Sequence, residues 1–202
     1  MEIRIAKIIS ILFQPLLVPT YSFLLLFAYP AYFSLLIPYQ NKLIIFSVVF
    51  ILTFLFPVML ILIMRQKGMI KSLQLDSRQE RVIPFTLSII LYYLTFHMIR
   101  QLPVAEFYSL VLMGSVIILV AALIINFFWK ISIHMIGIGG MLGAFIGIST
   151  RLNLDMVRII ILIILVAGIT GFARLKLKAH TSWQVYAGFL AGTFLMFFLF
   201  LL

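Results

Sequence analysis

Three short stretches of this apolar chain hold the residue types that handle phosphate. The first lies within Arg65 to Val82, RQKGMIKSLQLDSRQERV, and offers Lys71, Arg78 and Arg81 beside Asp76 and Glu80. The second offers Lys130, Ser132 and His134, and the third Arg174, Lys176, Lys178 and His180. Guanidinium and ammonium groups cradle the oxygens of a phosphate. One imidazole can attack phosphorus while a second protonates the leaving oxygen. Ser132 and backbone N–H groups at a helix start add further donors. No cluster of carboxylates suggests a metal site, so side chains alone would neutralise the phosphate charge. No cofactor is expected.

The elements that must position these groups are membrane spans. The chain has 202 residues, 65% of them hydrophobic and 10% charged, and its mean hydropathy is +1.27. That composition is excessive for a soluble domain and fits an integral membrane protein. Apolar runs of helix length exclude the roughly 10-residue alternating strands of an outer-membrane barrel. Seven spans are expected, at about 5–28, 42–64, 83–99, 107–128, 131–149, 156–173 and 182–202. The expected fold is an all-α transmembrane bundle forming one membrane domain over 1–202. Pro15, Pro19 and Pro57 fall inside spans and predict kinks. Tyr29, Tyr32, Tyr39, Trp129 and Trp183 fall near span ends, as interfacial aromatics do. The first span runs past 20 residues without a small-x-small cleavage site, which reads as a retained helix rather than a signal peptide.

With alternating crossings, the connections after spans two, four and six share one face, and all three basic clusters lie there. The net charge of +10 sits in short loops, which suits anionic headgroups and leaves no surface for reading nucleic acid. Lys176 and Lys178 are most simply headgroup anchors. His97, inside the third span, reads as a packed or hydrogen-bonded helix histidine. Gly139, Gly143 and Gly147 recur every four residues, and Gly188 and Gly192 repeat the device. Such stripes let helices approach closely. Gly137-Ile138-Gly139-Gly140 lacks the lysine and the strand–loop–helix setting of a phosphate loop.

The three clusters together resemble the type 2 phosphatidic acid phosphatase superfamily. Its motifs are Lys-x6-Arg-Pro, Pro-Ser-Gly-His and Ser-Arg-x5-His-x3-Asp. Lys71 is followed by six residues and Arg78, with Gln79 in place of proline. Ile131-Ser132-Ile133-His134 keeps the serine and histidine of the second motif. Ala173-Arg174, five residues, His180, three residues and Gln184 follow the third, and Gly188 matches its usual continuation. The resemblance covers about 65–190 and implies a helical core of the acid phosphatase/haloperoxidase type. It implies His180 as nucleophile, forming a phosphohistidine, and His134 as the acid that protonates the leaving alcohol. Lys71, Arg78, Ser132 and Arg174 would hold the phosphate, with Arg81 as a further contact, a headgroup anchor or a partner for Glu80. Gln184 stands where the family places an aspartate that orients the nucleophilic histidine. Its amide oxygen can still accept the Nδ1–H bond but adds no negative charge. A carboxylate-to-amide change in a serine protease triad costs about 10⁴ in rate.

The activity expected from the resemblance is hydrolysis of a phospholipid phosphate or polyprenyl (pyro)phosphate at a bacterial inner membrane, without a metal. The alternative is a lipid-phosphate binding or transport protein of the same fold, catalytically weak or inactive because of Gln184. A prenyltransferase-like reading of Asp76 to Arg81 would need two aspartate-rich metal sites, and the chain has only five acidic residues. Of 15 cations, Arg4, Lys7, Arg65, Lys67, Lys71, Arg78, Arg81, Lys130, Arg174, Lys176 and Lys178 fall on the motif face. The positive-inside rule turns that face to the cytoplasm, whereas the family's enzymes on bacterial lipids usually face outward.

Overall fold

The computed structural model describes residues 2–70 and 78–202. Among them every regular element is a helix: α1 (Glu2–Leu12), α2 (Val18–Ala28), α3 (Tyr32–Leu35), α4 (Tyr39–Phe50), α5 (Phe56–Gln66), α6 (Arg78–Arg100), α7 (Glu106–Phe128), α8 (Ile133–Leu152), α9 (Val157–Lys176) and α10 (Ser182–Leu201). Seven helical stretches are long and apolar enough to cross a membrane, from Glu2–Ala28 to Ser182–Leu201. The protein is an all-α, multi-pass helical bundle. Exposed faces such as Ile161, Leu165, Ile169 and Phe172 on α9 form apolar surface suited to acyl chains rather than to water. The third span begins earlier than hydropathy alone predicts, because the polar Arg78-Gln79-Glu80-Arg81 stretch is already its first helical turn.

The prolines act differently at each site. Gln14, before Pro15, takes the extended ψ of 137°, because the proline ring disfavours the helical conformation of its predecessor. So α1 stops, a single 3₁₀ turn follows over Pro15–Leu17, and α2 resumes with Pro19 in its first turn, where a missing N–H costs little. Ahead of Pro57 the chain widens into a π-helix over Ile51–Leu55. A proline ring clashes with the carbonyl four residues earlier, and the wider turn relieves that contact.

The residues fall into two compact units, one of Met1–Val18 and Phe128–Leu202, the other of Pro19–Phe127. In the second, α4, α5 and α6 pack through the π-turn, while Tyr108 of α7 sits among Phe23, Phe27 and Phe33 at ring separations of 5.2–6.1 Å. The first unit is organised on α8, the most enclosed of the seven spans. α8 packs against α10 through the glycine stripes. A Cβ at Gly139 would run into the Phe189 carbonyl, and one at Gly192 into the Ile136 carbonyl. Backbones this close trade side-chain bulk for dense van der Waals contact, the main attraction between helices in lipid. α9 flanks this pair, and α1 lies on α9.

Candidate functional site

The third sequence cluster is the passage from α9 to α10, and its spacing has a structural cause. Lys178 N–H bonds the Leu175 carbonyl at 2.9 Å and Ala179 N–H bonds the Arg174 carbonyl at 3.2 Å. This paired stop leaves the residue after the helix in the left-handed region, normally a glycine. Here it is Lys178, with φ of 51°, which costs roughly 1–2 kcal/mol for a residue carrying a Cβ. The stop is followed at once by the start of α10. Thr181 is its N-cap and forms a reciprocal capping box with Gln184. Five residues between Arg174 and His180, and three between His180 and Gln184, are therefore the lengths of one helix stop and one helix start.

The capping box also decides the chemistry of His180. Thr181 N–H donates to Gln184 Oε1 at 3.1 Å. Only an oxygen can accept there, so the amide orientation is fixed. His180 Nδ1 lies 3.1 Å from the same oxygen and must be the donor. In the neutral imidazole the lone pair then sits on Nε2. His180 is buried, at 9% exposure.

The second cluster meets the third at the start of α8. Ser132 N–H donates to the Gln184 carbonyl at 3.3 Å, and Gly188 keeps that approach open, since a Cβ there would lie 2.9 Å from the Ser132 carbonyl. Ser132 is the N-cap of α8, yet its side chain makes no capping bond. Its Oγ is fully buried without a hydrogen-bond partner. Thr53, Ser88, Thr95 and Thr193 bond the carbonyl four residues back, whereas the buried hydroxyls of Thr20 and Thr170, like that of Ser132, have no partner. A buried hydroxyl left unmatched is costly, and a ligand oxygen is a natural partner for it.

A third contact closes the arrangement from a residue that composition and motif reading pass over. His134 Nε2 lies 3.1 Å from the backbone carbonyl of Ser10, and Arg174 Nη1 donates to Ser10 Oγ at 3.4 Å. Ser10 thus ties the second cluster to the third. The available signal was a lone hydroxyl in the run Ile8-Ile9-Ser10-Ile11-Leu12, since a polar residue inside a span usually faces protein.

Five predicted site residues, Ser132, His134, Arg174, His180 and Gln184, are therefore gathered in one unit by α1, α8, α9 and α10. The first cluster belongs to the other unit. Lys71, Asp76 and the Arg78 side chain lie outside the described residues; Arg81, in the first helical turns of α6, is buried at 4% exposure. His97 is exposed and pairs at 3.0 Å with Gln101, the residue just past the end of its helix. Lys176 forms an ion pair with Glu2, which fastens α1 to the end of α9. No protein-family model matches the chain, and no curated protein and no solved structure matches it.

Proposed function

We propose that this chain is a membrane-embedded phosphatase of the bacterial cytoplasmic membrane, acting on a lipid phosphate or polyprenyl (pyro)phosphate without a metal. The observation that carries the reading is the Gln184 oxygen. It accepts from both Thr181 N–H and His180 Nδ1, leaving His180 Nε2 as the nucleophilic nitrogen. Nε2 attacks phosphorus, the P–O bond to the lipid alcohol breaks, and the departing oxygen takes a proton from His134. The now neutral His134 takes a proton from water, whose oxygen displaces the imidazole from phosphorus, releasing inorganic phosphate and restoring both histidines. Arg174 offers two parallel donors to the phosphate oxygens, and Ser132 Oγ offers a third. Lys71, Arg78 and Arg81 stay phosphate-binding candidates on the strength of the motif resemblance alone.

The experiment is phosphate release by the purified protein from phosphatidic acid, phosphatidylglycerophosphate and polyprenyl pyrophosphate. At least one is hydrolysed, and His180→Ala abolishes release; a variant with wild-type release would rule out His180 as nucleophile. A second reading is favoured by the capping box itself. Gln184 has a structural task that needs no catalysis, which suits a protein that binds lipid phosphate without turning it over. That reading predicts saturable binding of the same lipids and no phosphate release.

A further inference from the structure

The carbonyl of Ser10, in the C-terminal turn of α1, bonds outside its own helix. Helices leave their last carbonyls without helical donors. Here Phe13 N–H goes to Ile9 and Gln14 N–H goes to Ile11, because Pro15 has already pulled Gln14 out of the helix. The Ser10 carbonyl between them faces His134 Nε2 instead. The Ser10 side chain, pointing to the same side, receives Arg174. Ser10, at 9% exposure, and Ala6, at 2% and one turn earlier, make the buried face of α1. Two independent contacts thus run from one residue of α1 to two residues of the proposed site.

We infer that the last turn of α1 is a wall of this site and that Ser10 is its positioning residue, its carbonyl holding His134 with hydrogen on Nε2 and its hydroxyl aiming the Arg174 guanidinium. A carbonyl oxygen only accepts, so the proton in that bond belongs to the imidazole. In the neutral rings the lone pair therefore lies on Nδ1 of His134 and on Nε2 of His180. A neutral oxygen backs each imidazole, from Ser10 for the proposed acid and from Gln184 for the proposed nucleophile. The catalytic meaning of this arrangement rests on the phosphatase reading; its geometry does not.

The test uses the full chain labelled with ¹⁵N-histidine. There are only three histidines, so His97, His134 and His180 are assigned from three single His→Gln variants. In the neutral range His134 is expected as the Nε2–H tautomer and His180 as the Nδ1–H tautomer. An Nδ1–H tautomer at His134 overturns the inference whether or not the protein hydrolyses phosphate esters. Conversely, absent hydrolysis with Nε2–H at His134 defeats the phosphatase reading and leaves the wall in place. Ala6→Phe, which lifts α1 from α9, is expected to release the His134 tautomer while the His180 signature persists; a His134 signature unchanged with α1 displaced overturns it. For the hydroxyl, Ser10→Ala is expected to weaken binding of inorganic phosphate about 2- to 10-fold, the worth of one hydrogen bond, and Ser10→Thr to restore it. Wild-type affinity in Ser10→Ala overturns the role given to Oγ.

Discussion

The two helix starts that carry His134 and His180 solve one problem in opposite ways. Each imidazole has an oxygen 3.1 Å from one ring nitrogen. His180 takes its oxygen from Gln184, four residues along the same helix start. His134 takes its oxygen from Ser10, 124 residues away in sequence. The first arrangement forms whenever α10 begins at Thr181. The second forms only when α1 has docked on α9 and has ended where Pro15 ends it. A group needed for proton transfer can thus be held by local chain geometry or by tertiary packing, and the two differ in what destroys them.

Substitution of the histidines themselves should have the largest effects. His180→Ala should reduce phosphate release on the order of 10⁴-fold or more, as loss of a nucleophile does in a serine protease. His134→Ala should cost about 10²- to 10⁴-fold, the usual contribution of a positioned acid. Steady-state phosphate release measures both. Equal losses would erase the distinction between nucleophile and acid.

The backing oxygens come next. Gln184→Leu removes the acceptor of both Nδ1–H and Thr181 N–H, and should slow turnover by about 10²-fold or more while freeing the His180 tautomer. Gln184→Glu keeps the reach of the capping box, supplies the missing negative charge and should raise the rate at least about tenfold, roughly 1.4 kcal/mol of barrier. Glutamate is a sharper replacement than the family's aspartate, because only the longer side chain also keeps the cap at Thr181. A Gln184→Glu variant that binds substrate but stays inactive would favour the binding-protein reading.

Smaller effects separate binding from folding. Ser132→Ala deletes a buried hydroxyl with no partner in the protein, so thermal stability should hold or rise. Substrate KM should nevertheless rise about 2- to 10-fold through the lost ligand bond. A stability loss without a KM change would make Ser132 a packing residue. The smallest effect is expected at Glu2→Gln, because the ion pair with Lys176 is solvent-exposed and water and salt screen it. It should leave the His180 tautomer untouched and loosen His134 slightly, as read by the same labelled-histidine spectra.

Much of this is legible along the chain. The seven spans follow from apolar runs, and their ends shift where a polar turn is helical, as at Arg78 to Arg81. The glycine stripes announce the α8–α10 seam because four-residue spacing is itself a helix face. The third cluster is legible because its spacing is a helix stop and a helix start. The second cluster shows its residues but not their partners. Ser10 is invisible as a site residue, since nothing in its neighbourhood distinguishes it from any serine tucked into a span.

Composition and local spacing dictate an all-α membrane protein, the residues able to handle phosphate, and the Arg174–His180–Gln184 interval. Each of these is set by the residue types present or by contacts within a turn or two of helix. Packing between distant helices dictates the rest: that Ser132 meets Gln184, that the Ser132 hydroxyl is sealed from solvent, and that α1 supplies the oxygen for His134. Those facts depend on which helix faces come together, and periodicity tells a helix which face to bury without naming the neighbour that will bury it.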